Sequence, residues 1–272
     1  MELSEQEIIA DIERRQREAA AEAPATITVA KLLRAPPKAL TAEEIALRDA
    51  EIAERERRRQ QQLLTERWTE FIGIRGARYK TATLSNFTAT EQKQIDAIAA
   101  LTEYRDTMAT RLAEGEGVVL FGPKGTGKDH LLVALARAAI IAGFRVTWQN
   151  GMDLFGEMRD RIDSQDSERA FVNRFIYPDV LYLSDPVPPI GSLTDFQAAM
   201  MFRILDGRYS RRKPTWCSVN VSKGSELDAR MGSQNVDRLR HGALSIHCDW
   251  PSYRAVAKHV TAQELPRKES TQ

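Results

Sequence analysis

Cysteine is scarce in this chain of 272 residues: it has two, Cys217 and Cys248, and no CxxC pair. A disulfide framework is thereby excluded. Both cysteines lie in apolar-flanked segments that read as strands, so they are expected to be buried free thiols in a reducing cytosol. A charge excess of either sign is also missing. The 39 Lys and Arg against 38 Asp and Glu leave a formal net charge of +1, so a nucleic-acid partner has to be met by a local basic patch rather than a global field. No apolar run approaches membrane-spanning length. The first residues, Met1-Glu2-Leu3-Ser4-Glu5, have neither the basic nor the apolar region of a signal peptide. A soluble, cytoplasmic protein without membrane contact is expected, with chain enough for one large domain or two modest ones.

What is present is a phosphate loop. Gly122-Pro123-Lys124-Gly125-Thr126-Gly127-Lys128-Asp129 follows the apolar run Val118 to Phe121 and leads into Leu131 to Ala136. A strand, a glycine loop and a helix in that order let backbone N–H groups turn inward on phosphates. The helix N-terminus adds partial positive charge, and Lys128 reaches the outer phosphates. The spacing fits GxxxxGK[ST] except at the last position, where Asp129 stands in place of a magnesium-binding hydroxyl. His130, just past the loop, reads as a helix-start contact beside the nucleotide.

Before the loop, residues 1–75 read as a helical, charged appendage available for docking a partner. A short amphipathic helix is expected from Glu2 to about Glu22; Pro24, Pro36 and Pro37 then break the pattern. Thr41-Ala42-Glu43-Glu44 resembles an N-cap with acids in the first turn. It opens a helix predicted to run to about Phe71, with a solvated charged centre at Glu54 to Arg59. After the loop, strands at residues 144–148, 180–183 and 215–219 alternate with helices at 128–142, 152–161, 168–175 and 194–209. This alternation predicts an α/β fold, a parallel sheet covered by helices on both faces, with its ligand at the carboxyl ends of the strands. The main domain is placed at 76–260 and a disordered tail at 261–272.

A phosphate loop alone leaves kinase, GTPase and motor-like ATPase open. A nucleoside triphosphatase of this kind also needs an acid at the end of a buried strand and a polar residue on a neighbouring strand to position water. Here one strand ends Ser184-Asp185-Pro186 and a later one Ser218-Val219-Asn220. Further on stand Val236-Asp237-Arg238-Leu239-Arg240-His241-Gly242 and Ser252-Tyr253-Arg254. With the phosphate loop and the helix end Ile204 to Tyr209, these segments resemble the AAA+ P-loop NTPases of the DnaC-type helicase loaders and the IstB-type transposition helpers, over roughly Arg78 to Ala257.

The resemblance implies an ATPase that binds ATP and Mg2+, with Asp185 polarising the attacking water, Asn220 sensing it, and Arg254 sensing nucleotide in its own subunit. It implies Arg238 as an arginine finger acting in trans within a homo-oligomer, a role suited to a side chain that stays charged and spans two phosphate oxygens. A replicative helicase and single-stranded DNA are the implied partners. In some loaders the N-terminal part carries a zinc-binding cysteine cluster; no cysteine precedes Cys217 here. The alternatives are a transposition helper, a nucleotide-sensing adaptor with little turnover and, least supported, a small-molecule kinase.

The metal site departs from the family twice, and the departures read as an exchange. Asp129 brings a carboxylate from the loop and Ser184 a hydroxyl from the strand, so the inventory of magnesium ligands is kept while the positions swap. The exchange predicts that the two side chains meet. For DNA, Arg159, Arg161 and Arg174 with Phe171, and the turn Arg211-Arg212, offer basic groups near an aromatic, as single-strand binding requires. Interleaved acids make two ordinary solvated helices the competing reading.

Overall fold

The computed structural model describes residues 40–163 and 167–254. The helix expected near the N-terminus and the tail expected at 261–272 lie outside them. Contacts divide the chain into two units, Met1–Arg58 and Arg59–Gln272. In the first, the described part is the beginning of helix α1 (Ala42–Arg75). Thr41 and Glu44 cap it reciprocally, as the sequence predicts: the Glu44 N–H donates to Thr41 Oγ1 at 3.2 Å and the Thr41 N–H to Glu44 Oε2 at 2.8 Å. Glu54 to Arg59 are all exposed, a solvated face.

The second unit is an α/β sandwich. The end of α1, where Phe71 and Ile72 are buried, stops at Gly76, whose φ of 113° no other residue adopts without strain. Then follow α2 (Gln92–Asp106), α3 (Met108–Glu114), β1 (Val118–Phe121), α4 (Lys128–Ile141), β2 (Val146–Asn150), α5 (Gly151–Asp163) and α6 (Glu168–Ile176). The chain continues through β3 (Val180–Ser184), α7 (Asp195–Tyr209), β4 (Thr215–Val219), α8 (Gly224–Met231), α9 (Ser233–Arg240) and β5 (Leu244–His247). β2 begins two residues later than the sequence suggests. Gly143 closes α4 in a left-handed turn, and the Phe144 N–H is spent on the Ala139 carbonyl at 3.0 Å, so it cannot join the sheet.

The five strands of the described residues are all parallel, in the order β2-β3-β4-β1-β5. Alternation along the strands feeds two cores. Val118, Leu120, Val180, Tyr182 and Trp216 pack with α2, α3, α4 and the end of α1. Val119, Leu181, Leu183, Cys217 and Val219 pack with α5 to α9. Cys217 and Cys248 are buried free thiols, and burial pushes both up. The order matters for the site: β4 lies between β1 and β3, so its carboxyl end stands beside both the loop leaving β1 and the acid leaving β3. No helix of the described residues is long and apolar enough to cross a membrane.

Candidate functional site

The loop leaving β1 turns on glycines that the packing demands. Gly127 has φ +87°, and a Cβ there would meet Phe87 Cε2 at 2.6 Å; Gly125, at φ +85°, is covered by Ser252. Lys128 is buried beneath the loop, with Nζ donating to the carbonyls of Gly122 at 2.9 Å and Pro123 at 2.6 Å. Burial lowers its pKa, partly opposed by the charges around it, Asp185 and Asp129 among them. Lys124 is exposed at the tip, and Thr126 is pinned by Trp250, whose indole N–H donates to the Thr126 carbonyl at 2.7 Å.

The segment Ser252 to Arg254 is hung on this loop. The Tyr253 N–H donates to the Gly125 carbonyl at 2.9 Å, and its hydroxyl reaches the Thr88 carbonyl at 2.5 Å. Arg254 thereby lines a cavity of about 320 Å³ together with Gly125, Gly127, Lys128, Asp129, His130, Asp185, Ser218 and Asn220. Asn86, Phe87, Thr88 and Tyr253 line it as well. Phe87 meets His130 and Tyr253 edge-on, and His130 Nε2 lies 3.0 Å from both Thr83 O and Asn86 Oδ1. His130 thus ties the start of α4 to the turn at Thr83 and Asn86 while lining the cavity.

Asp185 and Asn220 meet across two neighbouring strand ends, the Asn220 amide donating to Asp185 Oδ1 at 2.6 Å. Asp185 has φ 46°, a left-handed conformation costly for a non-glycine residue and common at functional sites. Burial first, then the charge of Asp129, push its carboxyl pKa up against the opposing pull of Lys128. An acid so tuned is a better proton acceptor near neutral pH than an ordinary aspartate.

Asp129 lies at the centre of a polar knot. Oδ1 accepts from Ser218 Oγ at 2.6 Å, Tyr182 Oη at 2.8 Å and Ser184 Oγ at 3.4 Å. Oδ2 lies 2.7 Å from Arg75 Nη2. Burial alone would raise this carboxyl, but Arg75, Ser218 and Tyr182 together hold it below the usual carboxylate value. The predicted meeting of Asp129 and Ser184 is therefore made. Ser184 is nonetheless buried at 3% exposure, and it is Ser218 whose side chain lines the cavity.

The remaining sequence candidates lie elsewhere. Arg238, on α9, lines a different cavity, stacks over Tyr209 at 4.7 Å and pairs with Asp206 at 3.1 Å and Asp237 at 2.8 Å. Phe171 is 1% exposed, so its ring offers no face to a base; Arg161 and Arg174 stack over it, and Arg174 also pairs with Glu157. Arg159 is exposed. Arg211 donates to the Gly207 carbonyl, and Arg212 sits at φ 51° in the turn after α7. Sequence reasoning missed Arg75, Tyr182, Ser218 and Phe87 as site residues. Tyr182 had a signal, the one aromatic hydroxyl in a strand otherwise aliphatic up to Ser184; Arg75 had none.

The family model described as IstB-like ATP binding protein matches residues 40–261. The chain belongs to the IstB-like ATP-binding family. Among curated relatives, the replicative helicase loader DnaC of Escherichia coli is 27% identical over 190 residues, 68% of this chain and 73% of that protein. A putative insertion sequence ATP-binding protein of Sinorhizobium fredii is 32% identical over 155 residues, 53% of this chain and 48% of that protein. Among solved structures, a crystal structure of the DnaC helicase loader superposes with a TM-score of 0.57 at 23% identity, covering 63% of this chain and 99% of that one. That likeness supports the fold. In this IstB-like chain one cavity lies between the loop leaving β1, Asp185 and Arg254.

Proposed function

We propose that the protein is an ATP-hydrolysing AAA+ module that acts in the cytoplasm and couples its nucleotide state to a grip on single-stranded DNA or on a replicative helicase. The observation carrying this reading is the convergence of Lys128, the Asp185–Asn220 pair and Arg254 on one cavity. Lys128 leaves its carbonyl contacts to take phosphate oxygens, and the loop from Gly122 to His130 surrounds them. Asn220 holds Asp185 so that its carboxylate accepts a proton from the attacking water. Arg254 reads the nucleotide of its own subunit, and Arg238, outside that subunit's cavity, completes the site of a neighbour.

Among the described residues no three His, Cys, Asp or Glu side chains gather into a metal cluster. Magnesium does not require one, since it is held by one or two carboxylates with substrate phosphates. The oxygen donors Asp129, Ser184, Asp185 and Ser218 are of the hard type it prefers, and Asp129 with Ser184 would hold it. When bound, magnesium supplies positive charge against the phosphate oxygens.

ATP hydrolysis measured with and without single-stranded DNA tests this. Lys128→Ala should abolish binding or turnover, and Arg238→Ala should spare binding while removing turnover. Hydrolysis that survives Lys128→Ala would refute the reading. The insertion-sequence relative supports a second role as a transposition helper, separated by whether a transposase or a replicative helicase stimulates turnover. The pairing of the Asp129 charge with Arg75 supports a third, a nucleotide-sensing adaptor, which prevails if ATP binds but is never turned over.

A further inference from the structure

Asp129 poses an electrostatic problem. It is the second residue of α4, immediately after Lys128, where the phosphates of a bound nucleotide would lie. A carboxylate there repels them, and the helix N-terminus offsets only part of that repulsion. The phosphate-loop pattern GxxxxGK[ST] calls for a neutral hydroxyl at this position.

The counter-charge comes from the last residue of α1. Arg75 Nη2 lies 2.7 Å from Asp129 Oδ2, with the Arg75 side chain 10% exposed. Its guanidinium stacks over the rings of Tyr79 at 4.2 Å and Trp148 at 4.9 Å. Nε and Nη2 make no aligned hydrogen bond. Charge and ring stacking therefore carry much of what holds this buried cation. Oδ1 of the same carboxylate is engaged by three hydroxyls, so both oxygens are fixed.

We infer that Arg75 is the counter-ion that makes a carboxylate tolerable in this phosphate loop: the Arg75–Asp129 pair presents the nucleotide with the net charge of the usual hydroxyl, and the end of α1 is thereby a working part of the nucleotide site. Arg75 is a positioning residue, acting through Asp129 and not by touching the phosphates. The inference rests on the nucleotide-binding reading above and holds whichever oxygens the magnesium takes.

Affinity for a fluorescent ADP analogue, measured by titration of the full chain in magnesium and again in EDTA, tests it. Arg75→Gln exposes the phosphates to an uncompensated carboxylate and should weaken binding on the order of 100-fold, more in EDTA than in magnesium. Asp129→Asn added to Arg75→Gln should restore affinity to within about threefold of wild type, a rescue that a purely structural arginine would not show. Arg75→Lys retains the charge and should stay within about tenfold. Circular dichroism verifies folding; if Arg75→Gln does not fold, the same comparison is made between Arg75→Lys and the neutral double variant. Unchanged affinity in Arg75→Gln, or loss that the double variant fails to restore, overturns the counter-ion. Wild type that binds no nucleotide overturns the functional reading together with it.

Discussion

The hydroxyl of Ser184 reaches the carboxylate of Asp129 at 3.4 Å, although 55 residues separate them. Asp129 stands where the phosphate-loop pattern calls for a hydroxyl and Ser184 where the resemblance implies an acid, and their contact is what an exchange of positions requires. The expected outcome is a coupled pair. Asp129→Thr and Ser184→Asp should each lower ATP hydrolysis at least about tenfold, and the double variant should recover most of it. Steady-state hydrolysis of the four proteins decides. Losses that simply add would mean that Ser184, buried behind the cavity wall, is only a hydrogen-bond partner.

Arg238 and Lys128 belong to different cavities, which makes their roles separable by mixing. Arg238→Ala and Lys128→Ala should each be inactive alone. Equal amounts of the two should regain hydrolysis, because an interface between an intact phosphate loop and a neighbour's intact arginine then forms. A recovery of about a quarter of wild-type turnover is expected from random pairing, since one interface in about four has both intact. A mixture as inactive as its components would show that no arginine is shared between subunits.

Acid stability should report on Asp129. Its carboxyl is held below the ordinary 3.8 by Arg75 and the hydroxyls, which outweigh burial. A depressed carboxyl contributes stability that is present above its unfolded value and lost as pH falls through its folded one. At neutral pH Asp129→Asn leaves Arg75 buried without its partner, a cost of about 2 kcal/mol after discounting for partial exposure. As pH drops below 3.8 wild type loses the same pairing, so the gap between the two should close. Urea unfolding without nucleotide, from about pH 7 to about pH 3, measures this gap; a constant gap would show that folding leaves the Asp129 carboxyl at its unfolded value, and a gap that widens towards acid would show that the fold raises it.

Local signals made most of the architecture legible. The phosphate loop announced β1 and α4, Thr41 and Glu44 announced the start of α1, and the strand ends at Asp185 and Asn220 converged as the order of elements implies. What stayed hidden depends on distant partners. Arg75 reads as one more basic residue at the end of a charged helix, and only the fold brings it to Asp129. Phe171 looks like a stacking platform beside arginines until α6 turns it into the core. Ser218 is a polar letter in a buried strand, and its use becomes clear once β4 is placed between β1 and β3.

Arg208 shows the same hidden dependence in a stability role. It is 0% exposed. Nη1 donates to the carbonyls of Phe175, Ile176 and Pro178 at 2.7, 3.0 and 3.1 Å, and Nη2 to those of Pro214 at 2.5 Å and Asp179 at 3.3 Å. Nε donates to Thr215 Oγ1 at 3.2 Å, so one guanidinium joins α7 to the chain entering β3 and β4. Burial pushes it down to about 9, with the Asp179 charge opposing. Its removal leaves five carbonyl oxygens without that donor and a void beside them. Arg208→Ala should therefore cost about 3 kcal/mol, lowering the melting temperature by roughly 6–12 °C for a unit of this size. Arg208→Lys, with three donors and no planar fork, should recover less than half of that loss. Calorimetry without nucleotide checks both, and a melting temperature within about 2 °C of wild type for Arg208→Ala would remove Arg208 from the set of residues that hold β3 and β4 in register.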